Sequence, residues 1–248
     1  MLLSHTFIYN YYAFGATIVS NTYSNGKGVI TFVGDVTEIG GSAFANCNSL
    51  TSVTIPDSVT TIGDNAFEYC SSLTSVTIPD SVTTIGSLAF LSCDSLAEFK
   101  GKFADDNGRI LVVDGILIAS APAGLTEYTI PDSVTTIGYG AFACCESLTS
   151  VTIPDSVTTI GFCAFQACTS LTSITIPESV TSIGAYAFQT CTNLTSVYCK
   201  AIAPPVLEGD IFRFCKGYVI FVPAESVEAY KSASLWSKYA SSIVGYDF

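Results

Sequence analysis

Apolar and polar positions recur along the chain with a fixed step. The stretch LTSVTIPDSVTTIG at residues 50–63 returns letter for letter at residues 73–86 and 148–161, with near-copies at residues 125–138 and 171–184. The leucine that opens each stretch returns every 23 residues, except that 29 residues separate Leu96 from Leu125. A period of about 20 to 50 residues is typical of repeat architectures. The pattern therefore predicts stacked units, one of which is six residues longer than the others.

Each unit contains signals for three segments. Residues 52–55 read Ser-Val-Thr-Ile, so that β-branched apolar residues alternate with hydroxyl residues in the period of a half-buried strand. Pro56 ends this strand because it has no N–H, and Asp57 and Ser58 are expected to form a tight corner by bonding nearby backbone amides. A second short extended piece ends at Gly63. The last third of the unit is too short for more than one or two helical turns.

One unit cannot bury its apolar positions alone. Units stacked about 4.8 Å apart would place each Leu, Val, Ile and Phe over the same residue of the next unit and so form a continuous core. We therefore predict a β-rich solenoid of parallel strands, stacked in 23-residue coils with short helical turns and capped at both ends.

The ends of such a stack need atypical segments, because its terminal cores would otherwise be open. The C-terminal segment carries aromatic residues at roughly helical spacing, which predicts an aromatic-faced lid with the only tryptophan in its core: Tyr230, Trp236 and Tyr239. The predicted organisation is an N-terminal extension at 1–22, an N-terminal cap and half-repeat at 23–48, repeats at 49–217 with the longer unit at 96–124, and a C-terminal cap with strand and helix at 218–248.

Composition narrows the classes of function. With 49% hydrophobic and 12% charged residues the chain is too apolar to be disordered, and its net charge of −12 disfavours nucleic acid and anionic membranes as partners. The longest apolar stretch, residues 110–119, is too short to span a bilayer and is broken by Asp114 and Gly115, so we expect no membrane insertion. The first residues do not form a convincing secretory signal, which leaves either a cytoplasmic protein or a chain that begins downstream of a signal.

Six cysteines each lie three residues after a phenylalanine, so that stacking would align them in a structural cysteine column: Cys47, Cys70, Cys93, Cys145, Cys168 and Cys191. A soft-metal ladder or disulfides are one reading. Reduced, buried thiols are the favoured reading, because parallel Cβ vectors suit a disulfide poorly and the only histidine is His5. Cys199 is expected to be buried, and any reactive thiol is expected among the three cysteines outside the column: Cys144, Cys163 and Cys215.

Acidic residues form a second column at the corner after each strand: Asp57, Asp80, Asp132, Asp155 and Glu178. Turn capping is the favoured role, and weak Ca²⁺ bridging between coils is the alternative. No metal site and no cofactor is predicted with these residues.

The polar side of the main strands is the candidate binding face: Ser52, Thr54, Ser75, Thr77, Glu127, Thr129, Ser150, Thr152, Ser173 and Thr175. Repeat proteins use such extended surfaces for partners, although this one lacks the aromatic and Arg anchors that dominate interfaces. Tyr128 and Tyr198 are nearby irregularities. The segment ILVVDGILIA at residues 110–119 has a hairpin signal at Asp114 and Gly115, and it is expected to pack into the stack rather than project as a binding hairpin.

The pattern L-x-x-V-x-I, followed by P-D-S-V-T-x-I-G-x-x-A-F-x-x-C, resembles the BspA-like leucine-rich repeats from about Tyr23 to the C-terminus. The resemblance implies a bacterial or protozoan protein that is secreted or held at the cell surface and adheres to a protein or glycan of a host or matrix. An enzyme is not expected, since the chain has no phosphate-binding loop, no H-E-x-x-H motif and no histidine within the repeats. The alternative function is a structural spacer or oligomerisation module without a dedicated ligand.

Overall fold

A computed structural model describes residues 14–24 and 27–248. The chain forms two compact units. The first contains the described residues up to Val113 together with Ala119–Ala121, and the second contains Asp114–Ile118 and Pro122–Phe248. Each unit is built from coils whose strands pair in parallel with the equivalent strands of the next coil, which confirms the predicted solenoid class.

In the first unit, parallel strands recur one coil apart. Ile39, Ile62 and Ile85 are buried and lie in register on three parallel strands, and a second parallel pair joins Ser75–Ile78 to Glu98–Gly101. An antiparallel hairpin precedes these coils. The strands are β1 (Thr17–Ser24), β2 (Lys27–Val33), β3 (Glu38–Ile39), β4 (Thr61–Ile62), β5 (Ser75–Ile78), β6 (Thr84–Ile85), β7 (Glu98–Gly101) and β8 (Ile110–Val113).

The second unit repeats the arrangement. Strands β9, β11, β13, β15 and β17 pair in parallel in that order, β10 pairs with β12, and β14, β16, β18 and β19 form a four-stranded parallel sheet. The strands are β9 (Ile116–Ser120), β10 (Glu127–Thr129), β11 (Thr136–Ile137), β12 (Ser150–Thr152), β13 (Thr159–Ile160), β14 (Ser173–Ile176), β15 (Ser182–Ile183), β16 (Ser196–Cys199), β17 (Val206–Leu207), β18 (Val219–Pro223) and β19 (Ile243–Tyr246). The helices are α1 (Val227–Ser232) and two 3₁₀ helices, Ala224–Ser226 and Trp236–Ser242.

The last third of each coil forms consecutive turns in place of the expected helical turns. The amides of Asn65, Phe67 and Tyr69 donate to carbonyls of the next coil at 2.8–3.0 Å, whereas the amides between them close turns within their own coil. Asn65 and Tyr69 reach this geometry with φ values of 58° and 59°. Bonding between coils therefore overrides the low tolerance of ordinary side chains for positive φ, which costs roughly 1–2 kcal/mol per residue. We call this surface of the coils the turn side.

Identical sequence does not give identical structure at the start of the first unit. Residues 52–55 and 75–78 share the same four letters, yet only the later copy is a strand, and Val53 is half-buried where Val76 is buried. The later copy pairs with β7, whereas the printed text of the earlier copy precedes any such pairing. The N-terminal half-repeat is also only partly a coil, because residues 36–44 stack on the next coil while β2 pairs with β1.

The longer unit buries its apolar residues. Asp114 and Gly115 have φ values of 50° and 77°, as a two-residue turn requires, and lie between strands β8 and β9. Ile110, Leu111 and Leu117 are fully buried. The segment therefore packs into the core, as its apolar sequence predicts, and does not project as a binding hairpin.

The C-terminal cap closes the second unit through its aromatic residues. Trp236 is fully buried and its indole N–H donates to the carbonyl of Pro205 at 2.7 Å. The Tyr239 hydroxyl donates to Oδ1 of Asp210 at 2.8 Å and accepts the amide of Ile211 at 3.0 Å. In preceding coils, amides of the turn side donate to the next coil, so Tyr239 supplies the acceptor that a further coil would have supplied.

Candidate binding surface

The candidate binding face of the second unit is an ordered array of polar side chains. Its members are all exposed: Glu127, Thr129, Ser150, Thr152, Ser173 and Thr175. Strand pairing puts Glu127 opposite Ser150 and Thr129 opposite Thr152. The residues therefore form two parallel rows, one of which starts with a carboxylate and one of which is entirely threonine.

The part of the face in the first unit is less regular. Ser75 lies opposite Glu98, and Thr77 lies opposite Lys100. Glu98 and Lys100 form an exposed ion pair of 2.7 Å, which in water contributes at most about 1 kcal/mol. The earliest members, Ser52 and Thr54, are exposed but lie outside any strand.

The rows become aromatic at the C-terminal end of the second unit. Tyr198 lies opposite Thr175, and Phe221 lies opposite Tyr198 with the two rings stacked at 4.8 Å. Tyr246 and Phe248 add two more rings, 5.0 Å apart, and are 44% and 51% exposed. Sequence reasoning singled out Tyr198 alone, although the 23-residue step from Tyr198 to Phe221 was a signal for the second ring.

Tyr128 lies elsewhere. It pairs with the buried Val151, and its ring is 6.2 Å from that of the fully buried Phe142. Tyr128 therefore occupies a core-side position, which the sequence shows by placing it where other units have Val or Ile.

Cysteines stack along the core and bond the preceding coil. The Sγ atoms of Cys70, Cys93, Cys168 and Cys191 each donate to a phenylalanine carbonyl 26 residues earlier at 3.1–3.2 Å. These four thiols and Cys145 are buried, and Cys47 is half-buried. Burial raises the pKa of Cys93 and Cys191 to about 12, so these thiols stay protonated and continue to donate.

The column is longer than the sequence analysis assumed. Cys215 donates to the carbonyl of Phe188 at 3.0 Å, in the same manner as the members of the column. It lies three residues after Phe212, but 24 residues instead of 23 separate it from Cys191, which hid the match. Burial raises its pKa to about 11.

The remaining thiols differ in exposure. Cys199 is fully buried and lies 3.2 Å from the Tyr230 hydroxyl, as far as burial was expected. Cys163 is buried, with its pKa raised to about 11 by that burial, and Cys144 is half-buried. The pKa of Cys47 is lowered because its half-buried sulfur interacts with the buried thiol of Cys70, so the thiol with the lowest barrier to ionisation lies within the column.

The acidic column is exposed and makes no local contacts. Within the described ranges, none of its five carboxylates forms a side-chain hydrogen bond or an ion pair: Asp57, Asp80, Asp132, Asp155 and Glu178. Across the same residues, no group of three or more His, Cys, Asp or Glu side chains is arranged to hold a metal ion. A shallow pocket lies beside Asp155 and Glu178 and is also lined by Ser179 and Lys200.

The corner after each strand is held by serine, through a bond between coils and not through a nearby amide. Ser58 Oγ donates to the carbonyl of Val36 at 2.7 Å, and the serines of three other corners repeat this bond. Threonines add a further ladder, as in the bond from Thr83 to the carbonyl of Thr60 at 3.2 Å. The repeated hydroxyls therefore tie coils together and do more than cover the surface.

No helix in the part of the chain that the structure describes is both long and apolar enough to span a bilayer. The strand face, the turn side and the corners are thus the surfaces on which a partner could be bound.

Comparison with known proteins identifies the repeat. A family model described as BspA type leucine-rich repeat region, in six copies, matches residues 16–103 and 121–233. No curated protein sequence matches the chain. A leucine-rich cell surface protein from Faecalibacterium prausnitzii is 29% identical over 86% of this chain, with a TM-score of 0.61. The chain spans 62% of the length of that structure.

Two further structures share the fold at lower identity. A leucine-rich repeat protein from Eubacterium ventriosum is 24% identical over 78% of this chain and 66% of its own, with a TM-score of 0.53. The pneumococcal vaccine antigen PcpA is 20% identical over 86% of this chain and 66% of its own, with a TM-score of 0.57.

Proposed function

The chain belongs to the BspA-type leucine-rich repeat family, and from that premise we propose that it is a non-enzymatic protein, secreted or held at a cell surface, that binds another protein. Leucine-rich repeat proteins generally bind other proteins, and their family and fold are generally non-enzymatic. The cell-surface description of the Faecalibacterium protein supports the proposed location. Adhesion to a protein or glycan of a host or matrix is the form of binding that we propose.

The observation that carries the proposal is the regular exposed strand face of the second unit. Each coil presents two polar residues to solvent at the same positions, while the apolar residues between them are buried. A repeated coil thus extends one continuous surface, which is how repeat proteins obtain large binding areas.

A structural spacer is the second candidate, and one observation favours it. The residues of the strand face are nearly the same in every coil and contain no arginine or tryptophan, whereas hot spots of interfaces are enriched in both. A uniform surface of this kind suits a protein that holds other domains apart.

Binding separates the two candidates. The chain would be immobilised and exposed at micromolar concentration to purified extracellular-matrix proteins and to a glycan array. We expect saturable binding that is weakened when Thr152 and Thr175 are both replaced by Lys, with the exposed control Thr60→Lys unchanged. Failure to bind any member of the panel would support the spacer and oppose the proposed function.

A further inference from the structure

The turn side of the second unit carries a row of aromatic side chains that the core does not use. Tyr139 stacks on Phe162 with 4.5 Å between ring centroids, and Phe162 meets Tyr186 edge-on at 5.4 Å. The guanidinium of Arg213 lies 5.6 Å from the centroid of Tyr186 and 4.9 Å from that of Phe214. We call these five residues the turn row; they come from four successive coils.

The turn row is open to solvent along its length. Tyr139 is 42% exposed and Phe214 is 61% exposed, Arg213 is exposed, and the two rings between them are half-buried. The phenylalanines of the core column, such as Phe165, are fully buried one side chain away in the sequence pattern. Exposed aromatic residues in a continuous row are therefore additional to what the coil needs to fold.

The row occupies the positions at which the coils differ from one another. The text from Leu to Gly is almost the same in the units that begin at Leu125, Leu148 and Leu171, whereas the residues after the Gly read YGAFAC, FCAFQA and AYAFQT. The Ala-Phe pair is shared because it is buried, and the flanking positions vary. Variation confined to one exposed surface, within coils that are otherwise copies, is the break in uniformity expected where a repeat protein contacts a specific partner.

The charge of the row is opposite to that of the surfaces around it. Residues 121–199 contain five Asp and Glu and no Lys or Arg, yet the turn-side segments 139–144, 162–167 and 185–190 contain no carboxylate. Arg213 forms no ion pair with any residue of the described ranges. The nearest acidic residue in sequence, Asp210, is already bonded to Lys238 and Tyr239.

A guanidinium held over two aromatic rings and left without a carboxylate is built to receive one. Arginine binds a carboxylate through two parallel hydrogen bonds, and arginine with tyrosine dominates the energetics of protein interfaces. The acidic strand face and corners would repel the same ligand, which directs it to the turn side. A sulfated glycan is a poorer fit, because such polymers are bound by clusters of basic residues and the row contains one.

We infer that the turn row binds an acidic segment of a partner protein, with a partner carboxylate on Arg213 and an aromatic or aliphatic partner side chain on Tyr139 and Phe162. The inference rests on the proposed function, and it places the specific contact on the turn side, while the strand face adds area.

The test uses a displayed library of random peptides, selected on the immobilised full-length chain. We expect the enriched peptides to contain Asp or Glu close to an aromatic or aliphatic residue, and to bind individually with an affinity that falls as ionic strength rises. Arg213→Ala should weaken each peptide by about tenfold or more, as a hot spot does, and Arg213→Lys by less, because lysine keeps the charge and loses the planar fork. Tyr139→Ser should also weaken binding.

The matched control replaces Thr152 and Thr175 by Ala, and every variant must melt like the parent chain. Peptides without carboxylates, or affinities unchanged by Arg213→Ala, would overturn the inference. Loss of binding in the threonine variant alone would overturn it too, while leaving the proposed function intact. Enrichment of no peptide, together with no binding to matrix proteins, would oppose both. Binding of sulfated glycans that depends on Arg213, without peptide enrichment, would replace the acidic segment by a glycan.

Discussion

Replacing Tyr239 by Phe removes one oxygen atom and tests how the last coil is closed. That oxygen donates to Asp210 and accepts the amide of Ile211, a residue that is fully buried. Burial and the hydrogen bond to Asp210 raise the pKa of Tyr239, so the hydroxyl keeps its proton and remains the donor. The ring of Phe would still fill the space, so the change acts on the hydrogen bonds.

The size of the effect follows from the two bonds. A hydrogen bond to a charged group contributes about 1.5–3 kcal/mol, and a buried amide left without an acceptor costs about 1–3 kcal/mol. The two losses overlap, so we expect Tyr239→Phe to reduce the free energy of unfolding of the cap by about 2–4 kcal/mol. A loss of about 2 kcal/mol multiplies the open population roughly 30-fold.

Hydrogen exchange measures this opening directly. The amides of the cap and of Ile211 should lose protection by roughly 30-fold or more in the variant, while amides of early coils lose less, because repeat proteins open locally. Urea unfolding followed by circular dichroism supplies the global value.

Two controls isolate the buried hydroxyl. Tyr246 is 44% exposed and its hydroxyl makes no hydrogen bond within the described residues, so Tyr246→Phe should change stability by at most about 0.5 kcal/mol. Lys238→Ala removes an exposed ion pair to Asp210 and should cost at most about 1 kcal/mol. If Tyr239→Phe costs no more than Tyr246→Phe, the hydroxyl does not close the stack and the reasoning fails.

Three further predictions concern other parts of the fold. Burial acts to raise the pKa of Asp210, but hydrogen bonds from Lys238 and Tyr239 hold it below the ordinary 3.8; the stability gained is therefore present above that value and lost as pH falls through the lower folded-state pKa, and Asp210→Asn should lose less stability than the parent between neutral and acidic pH in urea titrations. Ala167 has a φ of 58°, so Ala167→Gly should raise the melting stability by about 0.5–1 kcal/mol, whereas the neighbouring Gln166→Gly should lower it; a loss in both would contradict the strain argument. Iodoacetamide at mildly alkaline pH should label Cys47 first and the fully buried Cys168 only after unfolding, as read by peptide mass spectrometry; equal rates would contradict the described burial.

The columns of the fold were predictable from sequence because every coil has nearly the same neighbours. Once the 23-residue step is read, Phe67 must lie over Phe90, and the rings do stack at 5.3 Å. The serine of the corner was assigned to a nearby amide, because local sequence does not show that a carbonyl of the preceding coil is closer. The strand-face role of the hydroxyl residues and the domain boundaries stay predictions.

The turns were less predictable, and the reason is physical. Tyr69 and Leu88 have positive φ although neither residue type favours it, because the amides are drawn to carbonyls of the next coil. Such bonds join residues 22 positions apart and leave no local signal. The turn row escaped sequence analysis for the same reason, since Tyr139, Phe162 and Arg213 become neighbours only when the coils are stacked in this register.

The bonds between coils also bear on how the protein would respond to a mechanical load. Backbone amides, serines, threonines and cysteines all connect a coil to the one beside it, so a pull on the ends of a unit would detach coils singly from an edge. Each released coil of 23 residues adds about 80 Å of extended chain. The force–extension trace of a unit would then be a series of similar steps, and a tether of this kind yields gradually under tension while its remaining coils keep their surfaces intact.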